Sequence, residues 1–205
     1  MPSTLTNVMS TRQEGTLRDP KRFAESIMAR TRRARDYHDV WIAIAGDALR
    51  ADYSPMMGKF RNLFQTTEIA SRLGFIITLC SLYDDDGRAV SIRRYANHVW
   101  RRNTSRSEWK ARFKSVSAKA RRLYGLRNNY FAHVSDDTFE QNLFREAGLT
   151  YNDLSDLMTK TWSLVQELVC ADGLDFSYND TVESDLRVLF PKLKLPLSWA
   201  GNIAS

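Results

Sequence analysis

Residues 57–83, MGKFRNLFQTTEIASRLGFIITLCSLY, decide the fold class of this chain. Phe60, Leu63, Phe64, Ile69, Leu73, Ile76, Ile77 and Leu79 recur at the spacing that gathers side chains onto one broad face of an α-helix. A stripe that wide predicts a helix over Met57–Tyr83, placed at the centre of a bundle. Tyr53-Ser54-Pro55 interrupts the chain upstream, and Asp84-Asp85-Asp86-Gly87 stops the helix downstream. Three acids and a glycine invite a calcium reading, but the alternating ligands and terminal Glu of an EF-hand loop are absent. The run is read as a polar interhelical turn.

The flanks repeat the pattern. Asp19-Pro20 predicts a helix start, since Asp can cap free amides and Pro fits the first helical position. The helix runs to Asp47, with Phe23, Ile27, Ala34, Trp41, Ile42 and Ile44 at helical spacing. Beyond the acidic turn, Ser91 caps a short helix through Arg102 carrying Ile92, Tyr95 and Val99. Asn103-Thr104-Ser105 breaks it, and Ser105 with Glu108 resembles a capping box. The next helix, Ser107–Val134, carries Trp109, Phe113, Val116, Ala120 and Leu123, with Gly125 predicting a bend or close packing. Thr150 precedes a helix to Ala171 striped with Tyr151, Leu154, Leu157, Met158, Trp162, Val165 and Leu168, which Asp172-Gly173 ends. One more short helix is expected at Thr181–Phe190. Repeats, β-alternation and Gly-rich phosphate loops are missing. The reading is an all-α bundle of long helices: a flexible Ser/Thr-rich arm at 1–18, a helical domain at 19–172, and a C-terminal helical extension and tail at 173–205.

At 205 residues, 43% hydrophobic and 26% charged, the composition is that of one ordinary soluble domain. No run of ~18 apolar residues predicts a membrane span, and the N-terminus lacks the basic start and apolar block of a secretory signal. Cys80 and Cys170 lie far apart with no CxxC spacing, so they are expected as two buried thiols in a reducing, cytoplasmic setting. Net charge is +6, unevenly spread: residues 88–127 hold thirteen Lys and Arg against the single acid Glu108, a local +12, so the other 165 residues sum to −6. A second basic run lies at Arg30, Arg32, Arg33 and Arg35. Such concentration attracts polyanions and releases counterions on binding; the alternative is a solvated face that aids solubility.

The basic window runs into Leu126-Arg127-Asn128-Asn129-Tyr130-Phe131-Ala132-His133. This segment sets a permanent cation, a polar amide and an imidazole within two turns of a helix. Arginine stays protonated and histidine exchanges a proton near neutral pH. Together they suit a phosphodiester, one group holding the phosphate and the other moving a proton. His133 is one of only three histidines; His38 and His98 read as surface or packing residues.

Arg127, the polar Asn128 and His133 resemble the Arg-polar-x(3–5)-His motif of HEPN domains. Leu79–Ser91 (LCSLYDDDGRAVS) is similar to the corresponding stretch of the AbiU-type branch, associated with bacterial abortive infection. The resemblance covers roughly residues 20–170 in helix order. It implies a HEPN-like all-α homodimer acting on RNA as a metal-independent endoribonuclease without a cofactor, often as a toxin held by a cognate antitoxin protein. In HEPN toxins paired with a nucleotidyltransferase antitoxin, a Tyr commonly follows the His by two positions. Here that position is Ser135, which puts that mode of control in doubt.

Six helical residues turn through 600°, leaving Arg127 and His133 roughly 120° apart around the axis, so one helix does not aim both at one phosphate. A two-fold dimer, with two copies of the segment in a shared cleft, would. The expected catalytic residues are Arg127, His133 and Asn128. Arg93, Arg94, Arg101, Arg102, Arg121, Arg122 and Tyr130 are expected to bind RNA, and metal ligands are expected to be none. Two other readings remain: a helix-end ion site with Arg127 paired to a carboxylate, and a non-catalytic RNA-binding or partner-binding module. A DNA regulator lacks a convincing helix-turn-helix signature.

Overall fold

The computed structural model describes residues 19–46, 54–86, 88–100, 106–132, 144–145, 147–176, 184–185 and 188–189, with the side chains of 106 and 129–132 outside that description. Five helices organise it: α1 (Pro20–Ala45), α2 (Arg61–Leu82), α3 (Ile92–Val99), α4 (Arg106–Ala132) and α5 (Tyr151–Ala171). Among the described residues there is no strand, and no helix is long and apolar enough to cross a membrane. The arm at 1–18 and Ser105 lie outside the described residues. The predicted helix at 181–190 is described only at 184–185 and 188–189, which are helical.

Local chemistry sets the helix ends. The Asp19 carboxylate accepts the Arg22 N–H at 3.1 Å, with Pro20 opening α1. Thr150 and Asp153 form a reciprocal capping box at α5, satisfying amides that the first turn leaves free. Gly173, at φ +76°, takes the left-handed conformation that closes α5, and the Leu174 N–H returns to the Val169 carbonyl at 3.0 Å. Ser91 holds the N-cap position of α3, but its buried side chain makes no cap hydrogen bond. Gly125 is not a point of close packing: α4 continues through it, and a Cβ there would meet nothing within 4 Å.

The long helices alternate in direction. Tyr37 of α1 packs across Gly74 of α2, where a Cβ would lie 2.8 Å from the Tyr37 ring, while Arg30 donates to the Val90 carbonyl beyond the end of α2. Between α1 and α5, Trp41 meets Tyr151 and the Arg35 guanidinium lies over Trp162. His38 sits between Asp39 and Ser155 and against Phe75, in a packing role. Between α4 and α5, the Trp109 indole donates to the Leu164 carbonyl and Lys119 reaches Asp153 and Asp156.

The central helix differs from its expectation in two ways. Phe60 interrupts the predicted Met57–Tyr83 helix, leaving a helical turn at 54–59 before α2. None of residues 61–70 is buried, and Leu63 is 63% exposed, with Phe60 and Ile77 also exposed. The buried line runs instead through Phe75, Ile76, Leu79, Cys80 and Leu82. Helical spacing reports a broad face, but neighbouring helices cover only its C-terminal half. Cys80 is buried as expected, whereas Cys170 is exposed at the last turn of α5.

Candidate functional site

The C-terminal half of α4 carries Arg121, Arg122, Tyr124, Arg127 and Asn128. Tyr124 and Arg127 stand three residues apart, so they are neighbours on the helix surface. The Arg127 guanidinium lies 5.0 Å over the Tyr124 ring, a cation–π arrangement. The Tyr124 hydroxyl donates to the Cys80 carbonyl at 3.0 Å, tying this platform to the last turn of α2. Nε and Nη2 of Arg127 both donate to Asn128 Oδ1 at 3.3 Å. The fork is therefore held from below by a ring and from the side by an amide. Among the described residues, Arg127 pairs with no carboxylate.

Burial pushes the Tyr124 phenol up to about 12, with Asp84 adding to the rise and Arg127 opposing it. Burial likewise pushes the Cys80 thiol up to about 12, again against Arg127. Both groups are thus neutral at physiological pH, and the charge of Arg127 is balanced by no ionised neighbour among them.

The acidic turn stands beside this platform. Asp84 Oδ1 accepts the Asp86 N–H, and Asp86 Oδ1 accepts the Arg88 N–H, each at 2.9 Å. These bonds tighten the turn, and the side chain of Arg88 holds the Asp86 carboxyl below its usual range. Asp85 reaches outward instead: Oδ1 lies 3.0 Å from Arg93 and Oδ2 3.4 Å from Arg121. Arg112 pairs with Glu167, and Lys119 with Asp153 and Asp156. Much of the basic window is thereby met by acids from elsewhere in the chain. These pairs are exposed, a setting in which ion pairs are weak and exchangeable.

The expected site residues fall into three groups. Arg127 and Asn128 are in direct contact. Arg93 and Arg121 converge on Asp85, while Arg94 lies 5.5 Å over Phe23 of α1 and Arg122 is exposed near Gly148. His133, Arg101 and Arg102 lie outside the described residues, as does the side chain of Tyr130; α4 is helical up to Ala132, the residue before His133. Two contributors escaped the sequence reading. Tyr124 was visible only as a helical neighbour of Arg127, and Asp85 was absorbed into a turn. Among the described residues, no group of three or more His, Cys, Asp or Glu side chains comes together to hold a metal ion.

The sequence model of the HEPN family AbiU2 matches residues 21–184, four of the five helices complete and α1 all but its first residue. The chain belongs to the AbiU2 family of HEPN domains. This places the Arg127-Asn128 pair and the acidic turn inside an abortive-infection-associated HEPN domain. No curated protein and no solved structure matches the chain.

Proposed function

We propose that this AbiU2 protein is a homodimeric, metal-independent endoribonuclease, serving as a toxin or antiviral-defence effector. The observation that carries the reading is the state of Arg127: buttressed by Tyr124 and Asn128, yet paired with no carboxylate among the described residues. That speaks against the helix-end ion site and leaves a preorganised guanidinium for a phosphate.

RNA supplies its own nucleophile. The 2′-hydroxyl attacks the adjacent phosphorus, the P–O5′ bond breaks, and a 2′,3′-cyclic phosphate and a free 5′-hydroxyl result. His133 takes the 2′-proton as a base or delivers one to the leaving 5′-oxygen, help typically worth about 10²–10⁴-fold. Arg127 stabilises the charge growing on the phosphate oxygens, with Asn128 orienting it. Ideal helical spacing would set Arg127 and His133 roughly 120° apart around one axis, so in this reading the complete site draws on both copies of the dimer. Phe60, Leu63 and Ile77, left exposed by α2, are apolar surface that a second copy would cover. RNA and a cognate antitoxin protein are the partners of this reading.

The deciding experiment incubates purified protein with structured and unstructured RNAs, with and without EDTA, and reads the ends by mass spectrometry. His133→Ala should abolish cleavage while retaining dimerisation and most RNA affinity. Arg127→Ala should lose cleavage with some loss of binding. Cyclic-phosphate ends should form in EDTA. Wild-type activity retained by His133→Ala overturns the catalytic assignment and favours a binding module.

A further inference from the structure

Packing against Trp41 and Phe75 fixes where the His38 ring stands, while its two nitrogens are engaged more specifically. Nδ1 lies 3.1 Å from Asp39 Oδ1, and Nε2 lies 2.9 Å from Ser155 Oγ, across the interface of α1 and α5. An ionised carboxylate only accepts, so Nδ1 carries the proton. In the neutral imidazole Nε2 is then the acceptor, and the Ser155 hydroxyl is its donor. Thr161, on the same helix, gives its proton to the Leu157 carbonyl one turn back, the ordinary outlet for a helical hydroxyl. Ser155 gives its proton to a base instead. Asp39 is in turn held by Arg35, whose Nε lies 3.5 Å from Oδ2. A hydroxyl, a base within hydrogen-bond reach and a carboxylate that orients the base are the parts that activate a serine nucleophile.

These three residues border a cavity of about 440 Å³ between α1, α2 and the start of α5. Tyr151 lines it, one helical turn before Ser155 and on the same face of α5. Leu154, next to Ser155, and Trp41, three residues after His38, line it as well. Ser155 and His38 are both half-buried, so the hydroxyl is not sealed in the core. Ile69, Leu149 and Leu154 give the cavity an apolar side, and Glu68 and Arg72 on its wall pair with each other. Trp41 is almost fully buried, yet its indole N–H has no acceptor among the described residues. A buried donor without an acceptor is a standing cost that an anionic oxygen would relieve.

We propose that Ser155, His38 and Asp39 form a catalytic site, separate from the Arg127 segment, that hydrolyses small carboxylic esters whose acyl group enters this cavity. Ser155 Oγ attacks the ester carbonyl carbon while His38 Nε2 takes the hydroxyl proton. The negative oxygen that forms is met by the Trp41 indole N–H. As the carbon–oxygen bond to the alcohol breaks, His38 returns the proton to the leaving oxygen, and the acyl group stays on Ser155. Water then attacks that acyl-serine, giving its proton to His38, and the carboxylic acid leaves as the proton returns to Ser155 Oγ. Asp39 is a positioning residue, which holds the imidazole in the required tautomer without touching the ester. This chemistry is independent of RNA cleavage.

The test treats the full chain with an alkyl phosphonofluoridate, which loses fluoride as a serine-oxygen–phosphorus bond forms, and maps the label by peptide mass spectrometry. Hydrolysis of p-nitrophenyl acetate and butyrate is followed alongside. Labelling of Ser155 in the wild type is expected, lost in Ser155→Ala and in His38→Gln. Saturable hydrolysis should fall about 10²–10⁴-fold in kcat/KM in both variants. Asp39→Asn should lower kcat with KM little changed, the mark of a residue that acts through the base. Trp41→Phe, which keeps an aromatic ring, should likewise lower kcat, and an unchanged kcat overturns the oxyanion role of the indole. Melting temperatures verify that each variant is folded. Wild-type protein that the reagent leaves unlabelled at Ser155, or ester hydrolysis equal in wild type and folded Ser155→Ala, overturns the proposal.

Discussion

Asp85 bridges two arginines of the basic window, at 3.0 Å from Arg93 and 3.4 Å from Arg121, and all three side chains are at least half exposed. In the ribonuclease reading it competes with RNA phosphate for both. Asp85→Asn removes one negative charge and frees two guanidinium groups. At about 4 Å in water a unit charge pair is worth about 1 kcal/mol, a factor of about five in affinity. Physiological salt screens the longer-range part of this, since the Debye length is about 8 Å. We expect RNA to bind two- to fivefold more tightly to the variant. Folding stability should change by less than about 1 kcal/mol, the usual worth of exposed ion pairs. The assay is fluorescence anisotropy of a labelled single-stranded RNA on a His133→Ala background, repeated across a salt series. If both freed arginines engage phosphates, the log–log salt slope should steepen by up to about 1.4, at ~0.7 per phosphate on a single strand. Unchanged or weaker binding with an unchanged melting temperature would refute the reasoning. Arg93 and Arg121 would then serve to clamp the acidic turn to α3 and α4.

Three further predictions concern the core and the titratable groups. The Thr161 hydroxyl donates its one proton to the Leu157 carbonyl, so Tyr83 is the donor in the buried 2.7 Å contact between them. Thr161→Val should therefore cost about 1–3 kcal/mol by stranding the Tyr83 hydroxyl, and Tyr83→Phe about 1 kcal/mol or less; urea denaturation showing the reverse order would contradict this bond direction. Cys80 and Tyr124, both raised to about 12, keep their protons where the unfolded chain has lost them. Their contribution to stability is therefore full below pH ~9 and lost as pH rises toward 12, so melting temperature should fall over that window and less steeply in Cys80→Ala. At pH 8 a disulfide reagent should titrate one thiol per native chain, the exposed Cys170, and two after denaturation; two in the native state would place Cys80 within reach of solvent.

The boundaries of the helices were legible because their causes are local. Asp19 beside Pro20, Thr150 three residues before Asp153, and Gly173 after an apolar stripe act within one turn of chain, so spacing alone reveals them. The contact between Arg127 and Asn128 is local as well, since the two residues are adjacent on one helix and the guanidinium donates to Asn128 Oδ1. Where the sequence reading went astray, the cause was distant. Leu63 and Ile77 have the spacing of core residues, but burial requires a second helix to cover them, and α1 and α4 cover the line through Phe75 and Leu79 instead.

By itself, then, the sequence determined an all-α chain, the order of its helices, the Asp19 cap of α1 and the Gly173 stop of α5, the uneven charge and the Arg-His segment, all carried by features within a turn or two. Only the tertiary structure decided which sector of α2 enters the core, that Asp85 meets Arg121 from thirty-six residues away, and that Trp41, Arg72 and Tyr151 share one cavity. Such contacts depend on how rigid helices pack against one another, and a side chain's neighbours across a packed interface leave no periodic trace in its own segment.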